Sequence, residues 1–151
     1  MKLFKSLAVL IILFFTTAGL TFAGETLDKV KADGFIKIGV NGSVHGFGAP
    51  DSNGVWKGLD VDTAKAIAVA VFGGYMNRIR YVPLTAVQRF TALQSGEIDV
   101  LTRNATHTLS RDTALGLDFV TVNYYDGQGF MVDKGLGVNT ASQLSGATVC
   151  V

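Results

Sequence analysis

The sequence predicts an α/β fold with a mainly parallel sheet flanked by helices. After residue 23, segments with helical spacing alternate with short strand-like apolar runs. Three such strands are separated by helical crossovers, and that arrangement is typical of a parallel sheet covered on both faces. The strands, helices and loops can be assigned in chain order.

The first helix and the first strand are separated by a glycine. Residues 26–33 have helical spacing, and Gly34 is expected to end that helix. Residues 35–40 then form the first strand. Residues 41–58 are rich in glycine, asparagine and serine, so we expect a loop there, with a turn at 51–54.

A longer helix is predicted next, with Asp60 or Asp62 as its N-cap and Gly73-Gly74 at its end. Its apolar positions recur along one face, which should pack on the sheet. Three further elements continue the alternation: a strand over 79–82, a helix over 87–95 and a strand over 98–101.

The pattern changes after Arg111. Residues 127–132 are predicted to form a strand, 140–144 a helical turn and 147–151 a final strand. Cys150 lies in that last apolar run, so we expect a buried thiol, and a single cysteine excludes an internal disulfide. Since the chain stops inside this run, we expect it to be part of a longer protein.

Residues 1–23 read as a signal peptide for export. Lys2 and Lys5 precede an unbroken apolar run over 7–15, and small residues stand before the expected cleavage point after Ala23. The alternative is an uncleaved membrane anchor, although a span requires roughly 20 apolar residues. Removing the two lysines leaves 11 basic against 12 acidic residues, a charge that argues against nucleic acid as a partner.

The segment over 102–111 carries the main candidate site. Asn104, Thr106 and Arg111 follow a strand and precede a short helix expected to begin near Ser110, at the edge where α/β domains usually bind ligands. Arg111 can take a carboxylate through two hydrogen bonds, while Asn104 can accept from an ammonium. Alternatively, Arg111 pairs with a nearby aspartate, Asp112 or Asp118, and the hydroxyls cap the helix.

The other polar residues suit less specific roles. Arg89 and Arg103 are expected to be solvated or paired with Asp99 or Glu97, and Asp60, Asp62 and Glu97 to cap helices or lie on the surface. Phe47 can form an apolar wall for a bound side chain, or it packs in the core or hinge. The two histidines, His45 and His107, have no further ligands at metal spacing, and no nucleophile motif is present, so neither a metal site nor a cofactor is expected.

Five segments together resemble the periplasmic solute-binding proteins of ABC-type uptake systems for polar amino acids, particularly the general L-amino-acid-binding branch. The segments are Phe35-Ile-Lys-Ile-Gly-Val40, Gly58-Leu-Asp-Val-Asp62, Phe90-Thr-Ala-Leu-Gln-Ser-Gly-Glu-Ile-Asp-Val100, Leu109-Ser-Arg-Asp-Thr-Ala-Leu-Gly-Leu-Asp-Phe119 and Asn123-Tyr-Tyr-Asp-Gly-Gln-Gly-Phe-Met131.

The resemblance implies a type II periplasmic-binding-protein-like fold, in which two α/β lobes close over one amino acid. Residues 24–126 would belong to lobe 1, and 127–151 would form the first crossover strand and the start of lobe 2. In this family the residue matching Arg111 binds the ligand's α-carboxylate, and those matching Asn104 and Thr106 contact its ammonium or carboxylate. Where many members stack an aromatic ring on the ligand, this sequence has Val44.

The resemblance also implies an exported, periplasmic and monomeric protein whose partners are a free L-amino acid and a membrane permease, with no cofactor and no catalysis. Two alternatives use the same scaffold. One is a periplasmic enzyme similar to cyclohexadienyl dehydratase, and the other is the ligand-sensing ectodomain of a receptor. The enzyme would require a catalytic carboxylate or histidine in the cleft, and no residue stands out in that role. The receptor would require a transmembrane helix and a cytoplasmic domain downstream.

Overall fold

The computed structural model describes residues 24–148 and residue 150 and divides the chain into two compact units, the first ending at Asp118 and the second beginning at Phe119. The predicted signal segment over 1–23 lies outside the described residues. Among the described residues, no helix is both long enough and apolar enough to cross a bilayer. The lobe boundary expected after residue 126 stays a prediction.

Helices and strands alternate in the first unit as the sequence predicts, which confirms the α/β class. Their bounds lie within about two residues of the predicted ones for most elements. In chain order they are α1 (Glu25–Asp33), β1 (Ile36–Val40), β2 (Ala49–Pro50), β3 (Trp56–Lys57), α2 (Leu59–Phe72), β4 (Ile79–Pro83), α3 (Gln88–Gln94), β5 (Val100–Leu101) and α4 (Leu109–Thr113).

Three parallel strands form the sheet in the order β4-β1-β5, so the first strand of the chain lies in the middle. Ile38 of β1 is opposite Tyr81 on one side and Val100 on the other. The short strands β2 and β3 pair separately as an antiparallel hairpin. All three parallel strands therefore present their carboxyl ends at one edge of the sheet.

The central strand is the most buried part of the unit. Ile38 and Val40 have no exposed surface, and Ala64 and Ala68 of α2 pack against the same cluster. On Gly39, an added Cβ would lie 2.6 Å from Ile98 Cδ1, so the glycine lets the cluster beneath α3 approach the strand closely. Packing against both faces explains why β1 is almost entirely apolar.

Helix α2 begins without a side-chain cap, so the prediction that Asp60 or Asp62 caps it is wrong. Gly58 is the residue before the helix, and the loop carbonyls of Gly46 and Phe47 accept from the amides of Leu59 and Asp60 at 3.0 and 2.9 Å. Because the loop already satisfies these first-turn donors, no carboxylate is needed there. The helix does end at Gly73, whose φ of 66° confirms the predicted stop.

Asp60 also differs from the expectation that it caps a helix or lies on the surface, since it is only 3% exposed. Asp62, by contrast, is exposed and forms an ion pair with Lys65 at 2.9 Å. The two carboxylates are two residues apart on a helix, so they point to different sides of it, and only Asp60 is directed into the domain.

The second unit, described over 119–148 and at 150, contains two short 3₁₀ turns, Lys134–Leu136 and Ala141–Leu144. The second turn has a capping box between Thr140 and Gln143, which confirms the predicted helical turn. The first crossover strand predicted over 127–132 is wrong, because no residue from 119 to 133 is in a strand. A strand requires a neighbour to bond, and the described part of this unit offers none.

The end of the chain also differs from its prediction. Ala147, Thr148 and Cys150 are not in a strand, whereas Val149 and Val151 lie outside the described residues. Cys150 is exposed rather than buried. An apolar run becomes a buried strand only when it pairs with a strand of a sheet, and the described residues of this unit form no sheet.

Candidate ligand-binding site

The carboxyl ends of the three parallel strands bring polar residues from distant parts of the sequence together. The side-chain amide of Asn41, after β1, donates to Asn104 Oδ1, after β5, at 2.8 Å. The Thr102 amide donates to the Gly39 carbonyl at 2.9 Å and thereby holds the start of the second loop beside the first. The candidate segment over 102–111 therefore begins at the edge predicted for a ligand.

An open depression of about 370 Å³ lies at this edge. Its walls come from the loops after β1, β4 and β5 and are mostly polar or small. The lining residues are Asn41, Ser43, Pro83, Leu84, Thr85, Ala86 and Arg103. The lining includes none of the four residues predicted for the site, which are Asn104, Thr106, Arg111 and Phe47. Asn104 is bonded to the lining residue Asn41.

Three guanidiniums donate to the loop between β5 and α4, from Arg89 on α3, Arg103 on the loop itself and Arg111 on α4. Arg89 Nη1 donates to the Asn104 carbonyl at 2.6 Å, Arg103 Nη2 donates to Asn104 Oδ1 at 3.0 Å, and Arg111 Nη1 donates to the Thr106 carbonyl at 2.7 Å. In each of these three bonds the acceptor is a neutral oxygen. We call these three side chains the arginine cluster.

The prediction that Arg89 and Arg103 are solvated or pair with Asp99 or Glu97 is wrong. Both guanidiniums are partly buried and donate to loop oxygens, whereas Asp99 pairs with Lys29 at 3.6 Å and accepts from the Lys37 amide at 2.8 Å. Asp99 precedes β5 at the opposite end of the strand from the cluster. Strand β5 therefore separates the Asp99 carboxylate from the Arg103 guanidinium, although the two residues are close in sequence.

The guanidiniums of the arginine cluster are partly buried and repel each other. Burial lowers the pKa of Arg89, and the charges of Arg103 and Arg111 lower it further. Burial likewise lowers the pKa of Arg103, while the negative charge of Asp60 opposes that shift. Positive charges that repel each other inside a partly buried site are stabilised when an anion joins them.

Arg111 lies in the first turn of α4, as predicted, and its own loop holds it in place. Thr108 is the N-cap residue, and its hydroxyl accepts from the Arg111 amide at 3.3 Å. The guanidinium carbon lies 5.1 Å from the centre of the Phe90 ring. Among residues 24–148, none of the ion pairs involves Arg111, so the alternative pairing with Asp112 or Asp118 is not formed.

Asn104 and Thr106 use their oxygens to hold the arginine cluster. The backbone carbonyl of Asn104 accepts a hydrogen bond from Arg89. A carbonyl oxygen has two lone pairs, so it can accept a second hydrogen bond. Thr106 is exposed, and its carbonyl accepts from Arg111. The contacts of Asn104 and Thr106 with a ligand stay predictions. Holding the arginine side chains is compatible with such contacts.

Phe47 anchors the loop after β1 to helix α2. Its carbonyl accepts from the Asp60 amide, and a Cβ on Gly58 would lie only 2.3 Å from that carbonyl oxygen. This close packing agrees with the alternative role in the core or hinge. Contact with a ligand side chain stays a prediction for Phe47.

Sequence reasoning missed Arg103, Asn41 and Thr85 as lining residues. Each lies within two residues of the carboxyl end of a parallel strand, which is the signal that could have identified them. Within residues 24–148 and at 150, no group of three or more histidine, cysteine or acidic side chains is placed to hold a metal ion.

The sequence and the fold match those of a known class of binding proteins. The chain belongs to the bacterial extracellular solute-binding proteins, family 3, whose family model matches residues 36–144.

Two curated relatives are each 60% identical over 129 residues, which is 85% of this chain and 38% of the relative. One is the glutamate/glutamine/aspartate/asparagine-binding protein BztA of Rhodobacter capsulatus, and the other is the general L-amino acid-binding periplasmic protein AapJ of Rhizobium johnstonii. The chain thus spans a little over a third of the length of these relatives.

A solved structure has a similar fold. It is an ABC transporter/periplasmic binding protein from Brucella ovis with glutathione bound, 55% identical, with a TM-score of 0.78 over 85% of this chain and 40% of that one.

Proposed function

We propose that this chain belongs to the solute-binding component of an ABC-type amino-acid uptake system, and that the whole protein binds free L-amino acids in a cleft between two lobes. The observation that carries this proposal is the Arg111 guanidinium, held at a helix start by the neutral Thr106 carbonyl. The names of both relatives, an acidic and amide amino-acid-binding protein and a general one, support the ligand class.

In the proposed complex, Arg111 binds the ligand's α-carboxylate. Its planar fork matches a carboxylate, and the bond to Thr106 fixes one end of that fork in advance. The Thr106 hydroxyl donates to the same carboxylate, and the second lone pair of the Asn104 carbonyl accepts from the α-ammonium. Phe47 contributes apolar surface to the ligand side chain.

Closure of two lobes supplies the transport step. Residues 24–126 belong to lobe 1 in this proposal, and 127–151 belong to the start of lobe 2. Binding favours the closed form because both lobes then contact the ligand, and a membrane permease recognises that form. Residues 1–23 export the protein to the periplasm, where it works as a monomer without a cofactor.

We propose binding rather than catalysis, because both 60% identical relatives are named as binding proteins. An enzyme similar to cyclohexadienyl dehydratase would require an acid or base in the cleft. At the described edge of the sheet, the ionisable side chain that lines the depression is the cation Arg103. That residue suits the recognition of an anion better than proton transfer.

The test is calorimetry with a panel of L-amino acids on the full-length protein and on its Arg111→Ala variant. The substitution should cost at least about 1.5–3 kcal/mol of binding free energy, the range for hydrogen bonds to charged groups. Arg78→Ala is the matched control, because Arg78 lies at the amino end of β4 and packs on Phe72 and Tyr75. A folded Arg111→Ala variant with unchanged affinity would contradict the proposal.

A further inference from the structure

We infer that Arg103 is a second anion-binding point in this site, and that it selects amino acids whose side chain ends in a carboxylate. The inference rests on the proposed function, since it concerns the far end of the same ligand. It is carried by the position of Arg103 in the depression and by the way its guanidinium is held.

Arg103 lines the depression, whereas Arg111 does not. Arg103 is the charged residue among the seven that line it, and Asn41, Ser43 and Thr85 supply polar groups beside it. Arg111 is outside the lining, although it influences the same cluster through its charge on Arg89. A ligand anchored by its α-carboxylate at Arg111 can therefore place a different group in the depression.

Three hydrogen bonds hold the Arg103 guanidinium in place at the depression. Its Nε and Nη2 atoms donate to Asn104 Oδ1 at 3.3 and 3.0 Å, and Nη1 donates to the Leu84 carbonyl at 2.5 Å. These bonds use three of the five N–H groups of a guanidinium. The two that these partners do not use lie one on each terminal nitrogen, and each can donate to a carboxylate oxygen.

The charge balance favours the same class of ligand. A neutral amino acid brings one carboxylate and one ammonium, so it adds no net charge to the arginine cluster. A dicarboxylic amino acid adds one negative charge, which relieves the repulsion among three partly buried guanidiniums. The negative charge of Asp60 acts on Arg103 as well, where it opposes the effect of burial.

The experiment compares L-glutamate with L-glutamine, two ligands of nearly equal shape that differ in one charge. Calorimetry on the full-length protein should give glutamate an affinity about tenfold higher, the ratio expected when a charge-assisted hydrogen bond replaces a neutral one. In Arg103→Met, glutamate affinity should fall about tenfold or more, while glutamine affinity changes less, so that the ratio approaches one.

Arg78→Met is the matched control, and it should leave the ratio unchanged because it removes the same charge from the opposite end of the sheet. If Arg103→Met fails to fold, Arg103→Lys keeps the charge without the fork, and it should lower the ratio. A protein that binds amino acids without preferring glutamate, or a folded Arg103 variant with an unchanged ratio, overturns the inference but leaves the proposed function standing. Absence of amino-acid binding by the unaltered protein overturns both.

Discussion

Asn41 donates its side-chain amide to Asn104 at 2.8 Å, although 63 residues separate the two in the sequence. The bond connects the loop after β1 with the loop after β5 and so joins two walls of the same edge. The same Asn104 oxygen accepts from Nε and Nη2 of Arg103. The position of Arg103 thus depends on a contact between two loops, and a change at Asn104 should alter the site without altering the core.

We predict that Asn104→Asp reduces the affinity of the full-length protein for L-glutamate by tenfold or more. The added carboxylate would pair with the Arg103 guanidinium where the amide oxygen of Asn104 now accepts, and its negative charge would repel an anionic ligand beside it. Glutamine affinity should fall less, and calorimetry measures both. Asn104→Ala is the control, since it removes the acceptor without adding a charge. Higher glutamate affinity in Asn104→Asp would contradict the prediction.

Helix ends that depend only on neighbouring residues could be predicted from the sequence. Gly34 and Gly73 end α1 and α2 as expected, because a left-handed backbone position favours glycine wherever the chain is placed. The helix expected near Ser110 is confirmed, and the Thr108 hydroxyl caps it. The position of Arg111 beside that helix start could therefore be predicted from neighbouring residues alone.

Partners that are distant in sequence could not be predicted in the same way. Asp60 looked like a helix cap, but the carbonyl of Phe47 already satisfies its amide and its side chain is buried. Arg103 looked like a solvated residue, but the Leu84 carbonyl, 19 residues away, holds it. The strand expected over 127–132 depends on a neighbouring strand that the described residues do not supply.

We predict that Gly58→Ala destabilises the protein by at least about 2 kcal/mol, because Gly58 has φ 118° and a Cβ would lie 2.3 Å from the Phe47 carbonyl oxygen. Gly34→Ala is the matched control, with φ 76° and no atom within 4 Å of the added Cβ. The free energy of unfolding of Gly34→Ala should fall by only about 1–2 kcal/mol, the cost of the left-handed conformation for a residue with a side chain. Urea denaturation measures both, and equal losses would show that the contact with Phe47 is unimportant.

We predict that Asp51 titrates with a pKa of about 2, below the ordinary value of 3.8. Its carboxylate bonds to Lys57 Nζ at 2.7 Å and accepts from the amides of Val55 and Asn53, both at 2.9 Å. Since the folded pKa is the lower one, this group stabilises the fold above pH 3.8 and loses that effect as the pH falls towards 2. A carboxyl titration by NMR measures the pKa directly.

Lys57→Met provides the control for this titration. Removing the ammonium should raise the pKa of Asp51 part of the way towards 3.8, because the two backbone amides still bond to the carboxylate. Lys65→Met removes an equal charge from the pair with Asp62 and should leave the Asp51 titration unchanged. An unperturbed Asp51 in the unaltered protein would contradict the hairpin geometry.

We predict that Ile38→Ala lowers the free energy of unfolding by about 2–5 kcal/mol, the range for truncating a buried isoleucine. Ile38 has no exposed surface and lies in the central strand, opposite Tyr81 and Val100. Ile79→Ala is the matched control, because Ile79 is only partly buried and β4 is bonded to β1 alone among the described strands. Urea denaturation should show a clearly smaller loss for Ile79→Ala, since less apolar surface returns to water and the site can collapse more easily. Equal losses would mean that β1 is not the centre of the core.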